Sequence, residues 1–124
     1  MRVYRTKPFA RFANHEGIAD EQLRDAVRRA EAGLIDADLG GGVIKQRLAR
    51  EGKGKSGGFR SIVLFQRGAK AFFVYGFAKS DQDNIQRNEL KAFRKLADEM
   101  FALDDKGIAA AMKNGTITEI ECHE

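Results

Sequence analysis

Two spacings of apolar residues, every second position and every third to fourth, alternate along this chain and mark out its elements. Val3 to Phe9 is rich in β-branched and aromatic residues and reads as a short first strand. Pro8 either closes that strand or opens a short helix over Phe9, Phe12 and Ala13. Asp20 reads as an N-cap. Behind it Leu23, Ala26, Val27, Ala30 and Leu34 recur at helical spacing, while Glu21, Arg24, Asp25, Arg28, Arg29 and Glu31 fill the other face. This predicts a one-sided amphipathic helix of about four turns, with Gly33 where a C-terminal glycine cap belongs. Gly40-Gly41-Gly42 breaks the pattern, and a strand pattern runs from Val43 to about Arg50. On it Lys45 and Arg47 share one face, and Ile44 and Leu48 the other.

A basic loop follows, and then Phe59 to Gln66 and Lys70 to Lys79 read as strands separated by Arg67-Gly68-Ala69. A tight hairpin with Gly68-Ala69 at its tip is the simplest connection. Both strands are apolar on both faces, which predicts a central hairpin covered on each side. A two-residue tip sets Arg67 opposite Lys70 and therefore Arg60 opposite Phe77. Lys79 then points to the same face as Arg60, as a diagonal neighbour roughly 7–8 Å away. Beyond a polar, turn-like stretch from Ser80 to Asn84, with Asn84 as N-cap, Leu90, Phe93, Ala97, Met100 and Phe101 form the buried stripe of a second amphipathic helix. Asp104 to Lys113 predicts a further short helix, and Thr116 to Glu121 a final edge strand or an ordered tail. The fold class is α+β: a compact antiparallel sheet, its central hairpin at about 59–79, flanked by amphipathic helices. Residues 1–124 read as a single domain, with 104–124 a C-terminal extension.

Composition supports that size. Hydrophobic residues make up 43 % of the 124 and include nine Phe, enough for one core. No apolar run approaches the ~18 residues a membrane span needs. The basic N-terminus is not followed by the apolar region of a secretory signal. The single cysteine, Cys122, allows no internal disulfide, which fits a reducing cytoplasm. Net charge is +4, and it is concentrated: residues 45–60 hold Lys45, Arg47, Arg50, Lys53, Lys55 and Arg60 against Glu51 alone. Such a patch favours a polyanionic partner.

The stretch Gly52-Lys-Gly-Lys-Ser-Gly-Gly-Phe-Arg60 carries the candidate chemistry. Its first six residues match a dinucleotide-binding glycine pattern in form, but that motif must open a helix and this one opens a strand. Gly54-Lys55-Ser56 ends like a phosphate-binding loop, yet Ala49 stands where the first glycine is required. Cys122, His123 and His15 have no metal-ligand spacing, so neither a metal nor a cofactor is expected. A cationic set remains: Lys53, Lys55, Arg60 and Lys79. Such residues bind RNA phosphates and stabilise charge on a pentacoordinate phosphorus, and a lysine among cations is suited to proton transfer. RNA supplies its own nucleophile, the 2′-hydroxyl.

Four blocks together resemble the RelE/ParE superfamily of toxins, with the nearest likeness to its phage-derived, HigB-like branch. They are Asp38-Leu-Gly-Gly-Gly-Val-Ile-Lys-Gln-Arg47, Gly54-Lys-Ser-Gly-Gly-Phe-Arg60, Gly76-Phe-Ala-Lys79 and Glu89-Leu90, and the likeness covers about residues 1–103. The resemblance implies a bacterial type II toxin paired with a cognate antitoxin, a small acidic or helix-turn-helix protein. It also implies metal-independent cleavage of mRNA on the ribosome, leaving a 2′,3′-cyclic phosphate and a 5′-hydroxyl. Carried over by position, Lys53, Lys55, Arg60 and Lys79 are the catalytic cations, and Lys45, Arg47 and Arg50 bind RNA beside them. Two positions depart from the RelE-type pattern. Ser80 stands where an arginine follows the strand-end cation, and about Gln86 stands where a tyrosine opens the helix. His123 is the candidate acid–base group, by likeness to members that use a C-terminal histidine. The alternative is a ParE-like inhibitor of DNA gyrase without nuclease activity; one fold carries both.

Overall fold

In a computed structural model the described residues are 1–50, 54–78 and 85–120, with side chains described for all of these except 49, 50 and 54–57. In chain order the elements are β1 (Arg2–Thr6), α1 (Lys7–Glu16), α2 (Asp20–Glu31), β2 (Ala37–Gly40), β3 (Val43–Arg50), β4 (Gly54–Gln66), β5 (Lys70–Ala78), α3 (Arg87–Phe101), α4 (Asp105–Lys113) and β6 (Ile117–Ile120). The strands form one sheet in the order β2-β3-β4-β5-β1-β6. The central hairpin β4–β5 is apolar on both faces because helices cover both. Phe73, Val63, Ile44 and Leu48 pack under α1 and α2 with Phe9, Leu23 and Val27. Phe72, Ile62, Leu64 and Val43 pack under α3 and α4 with Ala97, Met100 and Ile108.

Helix ends follow local chemistry more closely than single capping residues predict. Pro8 opens α1 rather than closing β1. Asp20 is the first residue of α2 and not its N-cap, because its carboxylate pairs with Arg5 Nη1 at 2.5 Å. The N–H of Ala19 is met instead by Gln22 Oε1 at 2.8 Å. Gly33 does terminate α2, at φ +86°, and the Leu34 N–H returns to Arg29 O at 2.7 Å. α3 starts at Arg87, later than a cap at Asn84 implies, and the Gln86 N–H is held by Glu89 Oε1 at 3.0 Å. Asn84 and the rest of 79–84 lie outside the described residues.

The sheet departs from expectation in five places. β2 is an extra edge strand, joined to β3 across Gly40-Gly41-Gly42, all at positive φ. The glycine run is therefore a hairpin turn, which side chains would strain. β4 begins at Gly54, so the basic stretch from there on is strand; Gly54 lies opposite Arg50 and Phe59 opposite Leu48, with a register shift between the two pairs. The sheet is mixed, because β1 runs parallel to β5. Such long-range pairing leaves no signature at either strand alone. The β4–β5 tip has three residues, not two, with Gln66 opposite Lys70. That connection alone would set Arg60 opposite Gly76. A bulge at Val74 inserts one extra residue, so Ile62 faces Tyr75 and Arg60 faces Phe77 after all. Two departures cancel, and the register expected at the site is the one observed.

The C-terminal segment belongs to the same core. Asp104 caps α4 by accepting the Gly107 N–H at 2.8 Å, Ile108 and Ile117 are buried, and β6 pairs antiparallel with β1. Arg2 clamps this edge with two bonds to the Glu119 carboxylate, at 2.9 and 3.0 Å, and these hold Glu119 below the usual carboxylate range. Beneath them Tyr4 is fully buried and stacked on Phe72 at 5.1 Å, with the Arg2 guanidinium 5.4 Å from its ring. Its hydroxyl finds no hydrogen-bond partner among the described residues, and burial pushes the phenol pKa up. A buried, unsatisfied hydroxyl costs free energy that its removal returns. Tyr4→Phe is therefore expected to raise the unfolding free energy by about 1 kcal/mol in urea denaturation, where an ordinary truncation would lower it.

Candidate nucleic-acid interface

β3 carries two chemistries on its two faces, and the register keeps them apart. Gln46, at 1 % exposure, points toward α2. Its amide donates to Ala26 O at 3.0 Å and Leu34 O at 3.2 Å and accepts the Asp36 N–H at 2.7 Å. Ser61 Oγ, on the next strand, donates to Gln46 O at 2.9 Å. A one-residue slip would break all of these and drive Arg47 into the core in place of Leu48. With the slip blocked, Lys45 and Arg47 are held on the opposite face, the one that α3 overlies.

There the strands line up in two rows. Lys45 faces Ile62, which faces Tyr75; Arg47 faces Arg60, which faces Phe77. Arg47 and Arg60 are direct cross-strand partners, and like charges so placed repel. Arg60 is only 7 % exposed; its guanidinium makes a long 3.5 Å bond to Phe59 O. Arg47 is exposed. Its backbone is fixed on the outer side, where β2 has ended and side chains replace it: the Arg47 N–H donates to Asp36 Oδ2 and its carbonyl accepts from Arg29 Nη2, both at 2.7 Å. Arg29 is in turn held by Asp25 at 3.1 Å. Tyr75 extends the same face into an aromatic group, with Phe77 and Phe93 each 5.8 Å from its ring.

The structure thus brings Lys45, Arg47 and Arg60 to one face and one end of the sheet. Arg50 and Lys55 are placed by their backbones alone, at the end of β3 and the start of β4. Lys53, Lys79 and His123 lie outside the described residues. Sequence reading missed Gln46, Asp36 and Arg29, which position the cations without joining them. Gln46 left a signal: a polar residue on the strand face that Ile44 and Leu48 mark as core. Among the described residues no His, Cys, Asp and Glu side chains group as a metal site would require, and no helix is long and apolar enough to cross a membrane.

Two guanidinium groups on adjacent strands, one exposed and one nearly buried, suit the non-bridging oxygens of a phosphate diester. Guanidinium donors match that geometry in pairs, and a charge in a poorly solvated setting acts more strongly on its ligand. No curated protein matches the chain. The family described as the RelE toxin of the RelE/RelB toxin–antitoxin system matches it over residues 1–120, beyond the 1–103 that the four sequence blocks span and so including α4 and β6. A match running from the first strand through the last places this chain in the RelE toxin family, as the toxin of a toxin–antitoxin system.

Proposed function

We propose that the protein is a ribosome-dependent endoribonuclease that cleaves mRNA without a metal ion, in the manner of the HigB-like branch its sequence blocks resemble. The observation that carries the reading is the Arg47–Arg60 pair, two like charges opposed across β3 and β4 with one of them nearly buried. Like charges so placed repel each other, and a phosphate diester between them is attracted to both. In the reaction the 2′-hydroxyl oxygen bonds to the adjacent phosphorus as its proton passes to a base. The bond from phosphorus to the 5′-oxygen breaks, and that oxygen takes up a proton. The products are a 2′,3′-cyclic phosphate and a 5′-hydroxyl, with no water consumed. Arg60 stabilises the charge that builds on the phosphoryl oxygens. Lys53, Lys55 and Lys79 share that role by their places in the family pattern, and Lys45, Arg47 and Arg50 hold the flanking RNA. His123 is the proton-transfer candidate on the same basis. An antitoxin of helix-turn-helix type, covering the Lys53–Arg60 face, would silence all of these at once.

Primer extension on a translated reporter mRNA tests the reading. Induction of the toxin is expected to create new 5′ ends in frame within the coding region, and none in the same message carrying no start codon. Intact mRNA accompanied by DNA damage would instead assign the chain to gyrase inhibition.

A further inference from the structure

α3 overlies the cationic face, and its charges run against its dipole. A helix favours acidic side chains in its first turn and basic ones in its last. α2 obeys, with Asp20 and Glu21 at the start and Arg28 and Arg29 at the end. α4 obeys too, with Asp105 first and Lys113 last. α3 has no basic residue in its last turn, which holds Asp98 and Glu99, while Arg87, Lys91 and Lys95 run from its first turn to just past its middle. The one acid of its first turn, Glu89, is committed to the Gln86 N–H.

Arg87, Lys91 and Lys95 are four residues apart, so they form one line along the helix, with steps of about 6 Å. All three are exposed, and among the described residues none has a hydrogen-bond or ion-pair partner. Lys95 has Asp98 and Glu99 three and four positions on and pairs with neither. Arg94, beside this line, does a different job. Its Nε donates to Leu39 O at 3.1 Å, and its stem lies against Gly40 and Gly41, which latches α3 to the β2–β3 turn. Two contacts along the helix fix its direction: Phe93, near its middle, packs on Tyr75, next to the Arg47–Arg60 row, and Phe101, at its C-terminus, packs on Phe72 toward the far end of the strands. Arg87 and Lys91 therefore lie toward the end of the sheet where the arginine row is, and Lys95 follows just past Phe93.

From this arrangement we infer that the outer ridge of α3, through Arg87, Lys91 and Lys95, is a second RNA contact that grips the phosphate backbone of a strand whose scissile segment lies at Arg60. One cation per turn, on long side chains with no internal partner, suits a run of phosphates and reads no bases. The positive end of the helix dipole adds to the same field. The inference deepens the nuclease reading, because it takes RNA as the polyanion, but it is tested by binding and not by cleavage.

The probe is a short single-stranded RNA carrying 2′-O-methyl groups, which the proposed reaction cannot cut, with affinity measured across a salt series. Replacing Arg87, Lys91 and Lys95 together by glutamine is expected to reduce the slope of log affinity against log salt by about 2, since each phosphate contact on a single strand contributes about 0.7. The variant Lys106→Gln/Lys113→Gln, which removes two exposed lysines of α4, is expected to leave the slope unchanged. A triple variant with the wild-type slope overturns the inference, as does an equal fall in the α4 variant. Unchanged RNA binding with weakened binding of polyglutamate assigns the ridge to an acidic protein and overturns it as well. If the wild type cuts no mRNA but the slope falls as expected, the cleavage reading fails and the α3 contact stands; cleavage with an unchanged slope is the reverse.

Discussion

Arg60→Met is expected to slow mRNA cleavage by about 10²–10³-fold, the range for losing a main stabiliser of transition-state charge, while leaving the protein at least as stable as the wild type. The two halves of that result belong together. An arginine kept at 7 % exposure for structural reasons would destabilise the fold when removed. Here the methionine keeps an apolar stem at the buried position and removes the repulsion with Arg47, its direct partner on β3. Stability should therefore hold or rise as activity falls. Arg47→Met, at an exposed position of the same row, is expected to cost less activity and mainly to weaken binding, since a solvated guanidinium acts less strongly on a developing charge. Arg60→Lys restores the charge but not the paired donors and should recover only part of the rate. Single-turnover cleavage on programmed ribosomes, beside urea denaturation of each variant, checks the set. Loss of cleavage with a parallel loss of stability would make Arg60 a structural residue and remove the main support for the nuclease reading.

Periodicity carried most of the fold, because most elements are decided by which face they bury. The α2 stripe as far as Ala30, the α3 stripe, the alternation of β3 and the two-sided apolar pattern of β4 and β5 each state a local preference that the packed protein keeps; Leu34, expected on the α2 stripe, lies past the helix end and is 63 % exposed, because the chain turns away at Gly33. What stayed hidden depends on partners distant in the chain. The parallel pairing of β1 with β5 is one case. The Arg5 that takes Asp20 away from its capping role is another. β2 was obscured by its composition, since Ala37-Asp-Leu-Gly40 holds together only as an edge beside β3. The candidate site was legible in part. Facing residues follow from register, and register followed from a hairpin whose loop and bulge errors offset each other. Lys45 and Arg47 were correctly placed on one face, but the pairing of Arg47 with Arg60 needed the β3–β4 register, which the basic stretch conceals by continuing as strand from Gly54.

Gly76→Ala is expected to destabilise the protein by about 1–3 kcal/mol, as overpacking of a filled core does, and Gly76→Val by more. Gly76 stands in β5 without positive φ, so conformational freedom does not explain it. Space does: a Cβ there would lie 2.3 and 2.4 Å from Cε2 and Cδ2 of Phe12. Moving the half-buried Phe12 ring aside breaks its edge-on contact with Phe59 at 5.6 Å and its contact with Phe9 at 5.8 Å. The methyl group therefore costs that packing, or shifts α1 or β5, whose next residue, Phe77, faces Arg60. A glycine that sequence likeness groups with Phe77, Ala78 and Lys79 thus acts as a seat for an aromatic ring from the first helix. The pairing is checked by a double-mutant cycle with Phe12→Leu, which opens room over the strand. Gly76→Ala should cost clearly less in the Phe12→Leu background, with a coupling energy on the order of 1 kcal/mol or more for two residues in direct contact. Equal cost in both backgrounds would mean that the ring does not rest on the strand, and that glycine is needed at this position for another reason.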